Sequence, residues 1–587
     1  MKQLVQSMMN GQMELEDVPV PSINSRSVLI RTEYSLVSLG TERMLVEFAN
    51  SNLFDKAIKQ PDKVRQVLGK LGSDGLFPTI ETVLNKLNTT VSIGYCNMGV
   101  VENAGEEVIS LKVGDRVVSN GPHAEFVSVS ENLCAKVPAT VSGEEAAFTV
   151  IGAIALQGIR LAAPTLGETV VVVGLGLVGL IAVQLLKANG CAVIGIDTDP
   201  SKVKLAEAFG VSGICIAEDL DPVFFVMNKT NGVGADAVLI TASTDSNEVI
   251  SQAAKMSRQR GRIVLVGVIG LNLSREDFYD KELTFQVSCS YGPGRYDDEY
   301  ELKSRDYPIG FVRWTEQRNF EAVLEVIGSG QLKLQPLITK VVPVTRYHEI
   351  YDNISDRSQI ASILAYSSDP KAIEIKSVAV NLRKISKISK PIVAIIGAGN
   401  YTTSTIIPTL KSLDVGIKTI VSAGGLSAMA AARKAGAEIA STDLGAVLND
   451  EETDIVIIAT RHNLHADMVI QCLNAGKHVF VEKPLCLTTD ELSDIFSAYQ
   501  RAQSSTLTVG FNRRFAPFAM EMRRRIGNAQ TNLVMTINAG NLSPDSWVHD
   551  TEIGGGRIVG EGCHFIDLCS YLAGSPAVAV CMSSMGI

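Results

Sequence analysis

The sequence is poor in the features that mark a membrane-bound, nucleic-acid-binding or secreted chain. Its opening, MKQLVQSMMNGQMELEDV, has no apolar core and no cleavage pattern, so no signal peptide is expected. The longest apolar run, around Val170 to Leu186, is interrupted by glycines and by Gln184, which argues against a membrane span there. Positive charge is in deficit: 53 Lys and Arg face 63 Asp and Glu, a net charge of −10. Nucleic acid asks for a basic footprint and a membrane surface for a polybasic patch, so neither is expected as a partner. No two of the 10 cysteines are spaced as CxxC, and the close set Cys563, Cys569 and Cys581 encloses only His564. Zinc ribbons need clustered nitrogen and sulfur ligands, so none is expected. Scattered thiols without a secretory signal suit the reducing cytoplasm.

What remains is an ordinary globular composition, 46% hydrophobic and 20% charged, over 587 residues. That length exceeds what one core serves and corresponds to about four domains. Strand-like runs alternate with helical patterns, which points to parallel α/β units. The clearest strand-turn-helix is GETVVVVGLGLVGLIAVQLLKANG, and its logic returns in PIVAIIGAGNYTTSTIIPTLKSL. Between them, residues 367–390 are rich in Ser and Lys and weakly periodic, a linker with room for one strand. Before Gly167 the chain reads as short β segments. The exception is 42–90, where Leu45, Phe48, Leu53, Val64, Val67 and Leu68 fall at helical spacing and predict a helical insertion.

Gly174, Gly176 and Gly179 form GxGxxG between the strand TVVVV and a helix. The first glycine permits the tight turn, the second lets backbone N–H groups approach a pyrophosphate, and the third packs helix on strand. The helix N-terminus adds a favourable field for the anion. Asp197 ends the next strand, AVIGID, where a carboxylate accepts from a ribose diol and repels a 2′-phosphate. The expected cofactor here is NAD(H).

The first half resembles the medium-chain dehydrogenase/reductase superfamily, the zinc-type alcohol dehydrogenases. The resemblance rests on LVSLGTE (36–42), IGYCNMGVVENAGEEV (93–108), LKVGDRVV (111–118) and VVVGLGLVGLIAVQLLKANGCAVIGIDTDPSK. It implies a GroES-like β domain over 1–150, a Rossmann domain over 151–290 and a return to the first domain over 291–366. Zinc-bearing members have Cys where this chain has Leu39 and His-Glu where it has Tyr95-Cys96, and the four-cysteine lobe is missing. A catalytic zinc needs three protein ligands at one point, so no zinc is predicted. Carbonyl polarisation then falls to hydrogen-bond donors, with Tyr95, His123 and Tyr291 as candidates.

In the second half Gly397 and Gly399 follow PIVAII, but Thr402 occupies the third glycine position, which predicts a helix set slightly further from its strand. Ser422, Ala423 and Gly424 stand where a ribose-binding acid is expected, leaving NAD(H) and NADP(H) both open. Together with AIIGAGN, the segments HVFVEKPL, GFNRRFAPF and GGGRIVGEGCHFIDLCSYLAG resemble the Gfo/Idh/MocA family of NAD(P)-dependent sugar oxidoreductases, over residues 391 to the end. The resemblance implies a second Rossmann domain over 391–510 and part of an α+β substrate domain over 511–587. It makes Lys483 and His564 the catalytic pair and assigns Gly397, Gly399, Asn400, Thr460, Glu482, Lys483 and Pro484 to the cofactor. It also implies a cis Lys483–Pro484 bond. Glu561 lies beside Gly560, where the family carries Asp. Arg513, Arg514 and Asp567 are candidates for holding substrate.

The stretch after GFNRRF is short for that substrate domain and stops within a strand-like pattern, SPAVAVCMSSMGI. Either the chain is a piece of a longer protein or it is naturally short, and an open sheet edge with an uncovered apolar face is expected. The tandem order itself resembles bacterial bi-domain oxidoreductases associated with surface polysaccharide synthesis. It implies a cytoplasmic two-site enzyme acting on a small-molecule sugar, nucleotide-linked in the leading reading, and a homo-oligomer. The alternatives are a single-site alcohol/carbonyl oxidoreductase using only the first module, and a dinucleotide-binding scaffold.

Overall fold

The computed structural model describes residues 1–40, 42–43, 46, 90–218, 220–356, 358–367, 369–381, 391–540, 542 and 546–583. The helical insertion expected over 42–90 lies almost wholly outside the described residues. The chain divides into two compact units, Met1–Asp17 with Pro21–Glu374, and Val18–Val20 with Ile375–Ile587.

In the first unit the long strand Ser27–Val37 organises a β domain. It pairs antiparallel with Asn97–Ala104, Phe126–Ser130 and Ala361–Ala365. The last of these arrives after the whole nucleotide-binding domain, so the chain returns to its starting domain. Between them lies a parallel sheet in the order Ser212–Cys215, Ala192–Asp197, Thr169–Val173, Ala235–Ile240, Ser257–Leu265, Thr284–Val287. Its strands read as unbroken apolar runs because both faces are covered; Val170, Val171 and Val172 are fully buried. The helix Leu177–Ala188 buries Leu180, Ile181 and Val183. Leu180→Ala would cost about 2–5 kcal/mol there, because so enclosed a site cannot collapse. Strand order reverses at Thr169–Val173, and the crevice at its carboxyl end is where such sheets bind ligands.

The second unit repeats the plan. Ile439–Ser441, Ile417–Val421, Val393–Ile396, Ile455–Ile458, His478–Val481 and Leu507–Val509 run parallel in that order. The short strand Ser377–Ala379 adds antiparallel to the edge at Ile439–Ser441, so the Ser/Lys-rich stretch contributes one strand to this sheet. Beyond Val509 the described residues form helices and loops, among them Pro517–Ile526 and Cys563–Ala573, and no strand. Val534, Val578 and Val580 stay 88%, 95% and 88% exposed there, so the apolar alternation of that region is not buried in a sheet.

Candidate active sites

Both glycine turns are shaped alike. Gly174 and Gly397 take φ of +95° and +105°, and a Cβ on either would lie 2.6 Å or 2.4 Å from backbone of the neighbouring strand's end. At Gly176 and Gly399 a Cβ would meet no atom within 4 Å. The protein's own packing therefore does not require glycine there, whereas a pyrophosphate drawn onto the turn would need that space. The third positions diverge. A Cβ on Gly179 would sit 1.9 Å from the Gly174 carbonyl oxygen. Thr402 instead donates its hydroxyl to the Gly397 oxygen at 2.7 Å and opens a π-helical turn, Thr402–Ile406. The wider turn is how a larger residue is accommodated where the sequence predicts a more distant helix.

At the ribose end, Asp197 accepts from the backbone N–H of Leu175 (2.6 Å) and of Asp199 (2.8 Å), which ties the carboxylate to the glycine turn. The Ser422 hydroxyl in the second unit meets that of Ser427 at 2.8 Å. Asn400 is exposed at the head of its helix.

The other candidates of the first unit separate sharply. His123 is fully buried. Its Nδ1 meets Ser35 Oγ at 2.7 Å, and its Nε2 lies 3.4 Å from Glu42, which also accepts from the Tyr351 hydroxyl. Tyr95 is half-buried beside the buried Cys96. Burial and the Glu42 charge push the Cys96 thiol well above its usual range. Leu39 offers no ligand, and among the described residues no three His, Cys, Asp or Glu side chains gather as metal ligands would. Tyr291 accepts from Asn120 Nδ2 at 3.1 Å.

In the second unit the Lys483–Pro484 bond is cis. Lys483 Nζ donates to the Gly560 oxygen at 2.8 Å, which brings the EKP strand end to the segment that carries His564. His564 is 9% exposed and its Nδ1 has no hydrogen-bond partner. Burial first, then the charges of Lys483 and Arg513, push its imidazole down to about 4, so the ring is neutral at pH 7. Glu482 is half-buried and raised by that burial, with Tyr401 close by. Glu561 is paired with Arg557 at 2.9 Å. Arg514 forms a forked ion pair with Asp567, and Arg513 lies 4.5 Å over the Phe565 ring. The structure thus brings Lys483, Gly560 and His564 together, while Glu561, Arg514 and Asp567 are already engaged by protein.

Sequence reasoning missed the residues that brace this centre. His465 Nδ1 bonds the Pro484 oxygen at 2.7 Å and its Nε2 lies 3.3 Å from the Thr460 oxygen. His462 Nδ1 donates to the Gly554 oxygen at 2.8 Å, and Trp547 stands edge-on to its ring at 4.7 Å. The available signal was RHNLH, whose histidines follow Thr460 directly.

The description "Zinc-binding dehydrogenase" matches residues 178–304, and "Oxidoreductase family, NAD-binding Rossmann fold" (the Gfo/Idh/MocA model) matches 392–511. The D-guloside 3-dehydrogenase of Escherichia coli (strain K12) is 28% identical over 281 residues, 46% of this chain and 75% of that protein. The NAD-dependent alcohol dehydrogenase of Sulfurisphaera tokodaii is 23% identical over 59% of this chain and 93% of its own length. Inositol 2-dehydrogenase 2 of Saccharopolyspora erythraea is 35% identical over 26% of this chain and 44% of its own, so the chain spans under half of that relative. The solved galactitol-1-phosphate dehydrogenase of Escherichia coli overlays 62% of this chain and 100% of its own at 17% identity, with a TM-score of 0.49. With two matches falling on separate stretches of one chain, this protein is a fusion of two NAD(P)-binding oxidoreductase modules, one similar to the medium-chain alcohol dehydrogenases followed by one similar to the Gfo/Idh/MocA oxidoreductases.

Proposed function

We propose that this chain is a two-site oxidoreductase acting on the CH–OH groups of a sugar, nucleotide-linked and used in surface polysaccharide synthesis, working in the cytoplasm as a homo-oligomer. The observation that carries the reading is the Lys483 bond to the Gly560 carbonyl, which brings its charge to the segment of the neutral, buried His564.

In the second module the Gly397–Gly399 turn, Asn400, Thr460 and the Glu482–Pro484 segment would hold the dinucleotide, which supplies the hydride acceptor or donor. The protein's own residues manage the proton. A sugar hydroxyl placed between Lys483 and His564 would find a neutral imidazole as its proton acceptor. The Lys483 charge stabilises the oxygen as its proton leaves. Gly560 fixes Lys483 by accepting one of its N–H bonds and leaves the others for substrate. Arg513, the exposed member of the Arg pair, is the one available to a charged substrate group. Arg514 and Asp567 shape that edge by holding one another.

The first module would bind NAD(H) through Gly174, Gly176, Gly179 and Asp197 and works without zinc, since Leu39 and Tyr95-Cys96 do not supply its ligands. Metal analysis of the purified chain checks this; about one zinc per chain would overturn it. NADH and NADPH titrations that count sites per chain test the whole reading. Two sites, one preferring NADH and lost with Asp197→Ala, support it. A single site restricts the chemistry to one module. If Lys483→Ala leaves turnover of nucleotide sugars intact while Asp197→Ala abolishes it, the role given to the second module is wrong.

A further inference from the structure

A metal-free first module still needs a hydrogen-bond donor to polarise a carbonyl, and Tyr291 has a proton to spare. His123 is fully buried with its Nδ1 engaged by Ser35. Tyr291 accepts from Asn120 Nδ2, and its own hydroxyl hydrogen has no acceptor among the described residues.

Within Ser290–Tyr296, Ser290, Gly292, Gly294 and Tyr296 take φ of +45°, +123°, +111° and +66°. Residues held in such conformations persist only where their surroundings over-determine them, and they cluster at functional sites. The surroundings do so here. Asn319 Nδ2 donates to the Tyr291 carbonyl at 2.8 Å, and Arg160 holds Asn319 Oδ1 at 2.8 Å. A Cβ on Gly292 would fall 2.6 Å from Asn319 Nδ2, and one on Gly294 would fall 2.5 Å from the Tyr300 ring. The turn follows the carboxyl end of Thr284–Val287, the outer strand of the parallel sheet, on the sheet edge that carries the crevice at Thr169–Val173.

The charges behind the turn are balanced. Arg295 lies 5.5 Å from the Tyr291 ring centroid and pairs with Glu301 at 2.6 Å. Fully buried Glu316 faces this pair, and its carboxyl, when protonated, donates to Glu301. Burial and the neighbouring Glu301 push Glu316 up to about 9, so at neutral pH it adds no second negative charge. Burial likewise pushes the Tyr291 hydroxyl up to about 12, which keeps it a phenol and therefore a donor.

We propose that the Ser290–Tyr296 turn is a metal-free catalytic site in which Tyr291, oriented by Asn120, donates to the carbonyl oxygen of the substrate. As a hydride adds to the carbonyl carbon, the carbonyl electron pair moves onto oxygen, which takes the Tyr291 proton; water restores the phenol, and alcohol oxidation reverses each step. An alkoxide is a stronger base than a phenolate, so the transfer runs downhill. Arg295 is a positioning residue: its guanidinium, paired with Glu301, lies 5.5 Å from the Tyr291 ring centroid, and a neutral Glu316 adds no second negative charge beside it. The site rests on the reading of the first module as an NAD(H) oxidoreductase.

The test uses the full chain with tyrosine labelled by 13C at Cζ, NADH, and isobutyramide as an unreactive carbonyl probe. The resonance missing from Tyr291→Phe belongs to Tyr291. It should move when isobutyramide joins the NADH-bound chain, and should move without the probe in Asn120→Ala. Tyr291→Phe should weaken isobutyramide about tenfold, the value of one lost hydrogen bond, and leave NADH affinity unchanged. NADH binding at the site lost with Asp197→Ala, with the Tyr291 resonance unmoved or the probe bound equally by Tyr291→Phe, overturns the proposal alone. Absence of any NADH site sensitive to Asp197→Ala overturns instead the cofactor reading beneath it.

Discussion

The two modules meet the same pair of demands, a cradle for a dinucleotide and a group that moves a proton, with different residues. The first closes its turn with Gly179 pressed on the Gly174 carbonyl and marks the ribose end with Asp197. The second closes its turn with the Thr402 hydroxyl on the Gly397 carbonyl and offers Ser422 at the ribose end. What the two share without variation is the open space at Gly176 and Gly399. The comparison teaches which parts of the fingerprint belong to the fold and which to the ligand. The packing position tolerates another solution where a hydroxyl can replace the close approach, and the position facing the ligand does not.

Proton handling gives the largest expected effect. Lys483→Ala should lower turnover at the second site by about 10²–10⁴, the usual worth of a positioned proton-transfer group. Dinucleotide affinity and first-module activity should change little. Steady-state rates on a common substrate panel, with NADH titration alongside, check it; an equal fall in both modules would mean that Lys483 supports the fold and not the chemistry.

The turn comparison is broken next by exchanging its third positions. Gly179→Val places side-chain atoms against a backbone oxygen that cannot yield, and should destabilise the first module by about 3 kcal/mol. Thr402→Gly removes one buried hydrogen bond and should cost only about 1 kcal/mol. Gly399→Ala should leave the melting temperature unaltered and still weaken the dinucleotide. A cofactor bound as well by Gly399→Ala as by the parent chain would contradict the assignment of that open space. At the ribose end, Asp197→Ala should weaken NADH by about tenfold or more. Ser422→Asp should tilt the second site toward NADH over NADPH. Isothermal titration with both dinucleotides reads both changes.

Much of this was legible because it is local. Gly174, Gly176 and Gly179 lie within one turn, and a strand-turn-helix announces itself through apolar periodicity and glycine spacing. Lys483 and His564 stood out through motifs in family order. The contacts that arm those residues were not legible. Asn120 reaches Tyr291 across 171 residues of chain, and Lys483 reaches Gly560 across 77. Nothing in RWTEQRN distinguishes Glu316 from a solvent-facing helix-start carboxylate, since its burial depends on the Ser290–Tyr296 turn folding over it. Thr402 shows the intermediate case. Its departure from glycine was visible in sequence, but the hydroxyl bond and π-helical turn that accommodate it are tertiary facts.

Acid separates the modules more gently. His564 and His462 are both pushed down to about 4 from an ordinary value of 6.5, burial being the main cause. The unfolded chain binds protons that these buried rings refuse. Their contribution to stability is therefore complete above pH 6.5 and is lost as pH falls toward 4. The second module should lose stability over that interval. The double variant His462→Asn, His564→Asn should flatten the loss, seen as a smaller drop in melting temperature between pH 7 and pH 5. An unchanged drop would place the acid sensitivity elsewhere.

The smallest effect runs the opposite way. Glu316 is raised from an ordinary 4.5 to about 9. Between those values the folded chain keeps a proton that the unfolded chain has released. Its contribution is thus fully present below 4.5 and is lost as pH rises toward about 9. Glu316→Gln retains the shape of the neutral acid and cannot ionise, so the variant should gain on the parent chain steadily between pH 5 and pH 9. The melting-temperature difference of the first module, followed across that interval, measures the gain. The infrared carbonyl stretch of a protonated carboxyl, present at pH 7 in the parent chain and absent from Glu316→Gln, identifies the group responsible. A melting-temperature difference that stays flat, or a parent spectrum without that band, would mean that Glu316 is ionised and that Arg295 faces two negative charges, leaving Tyr291 without the balanced surroundings its role requires.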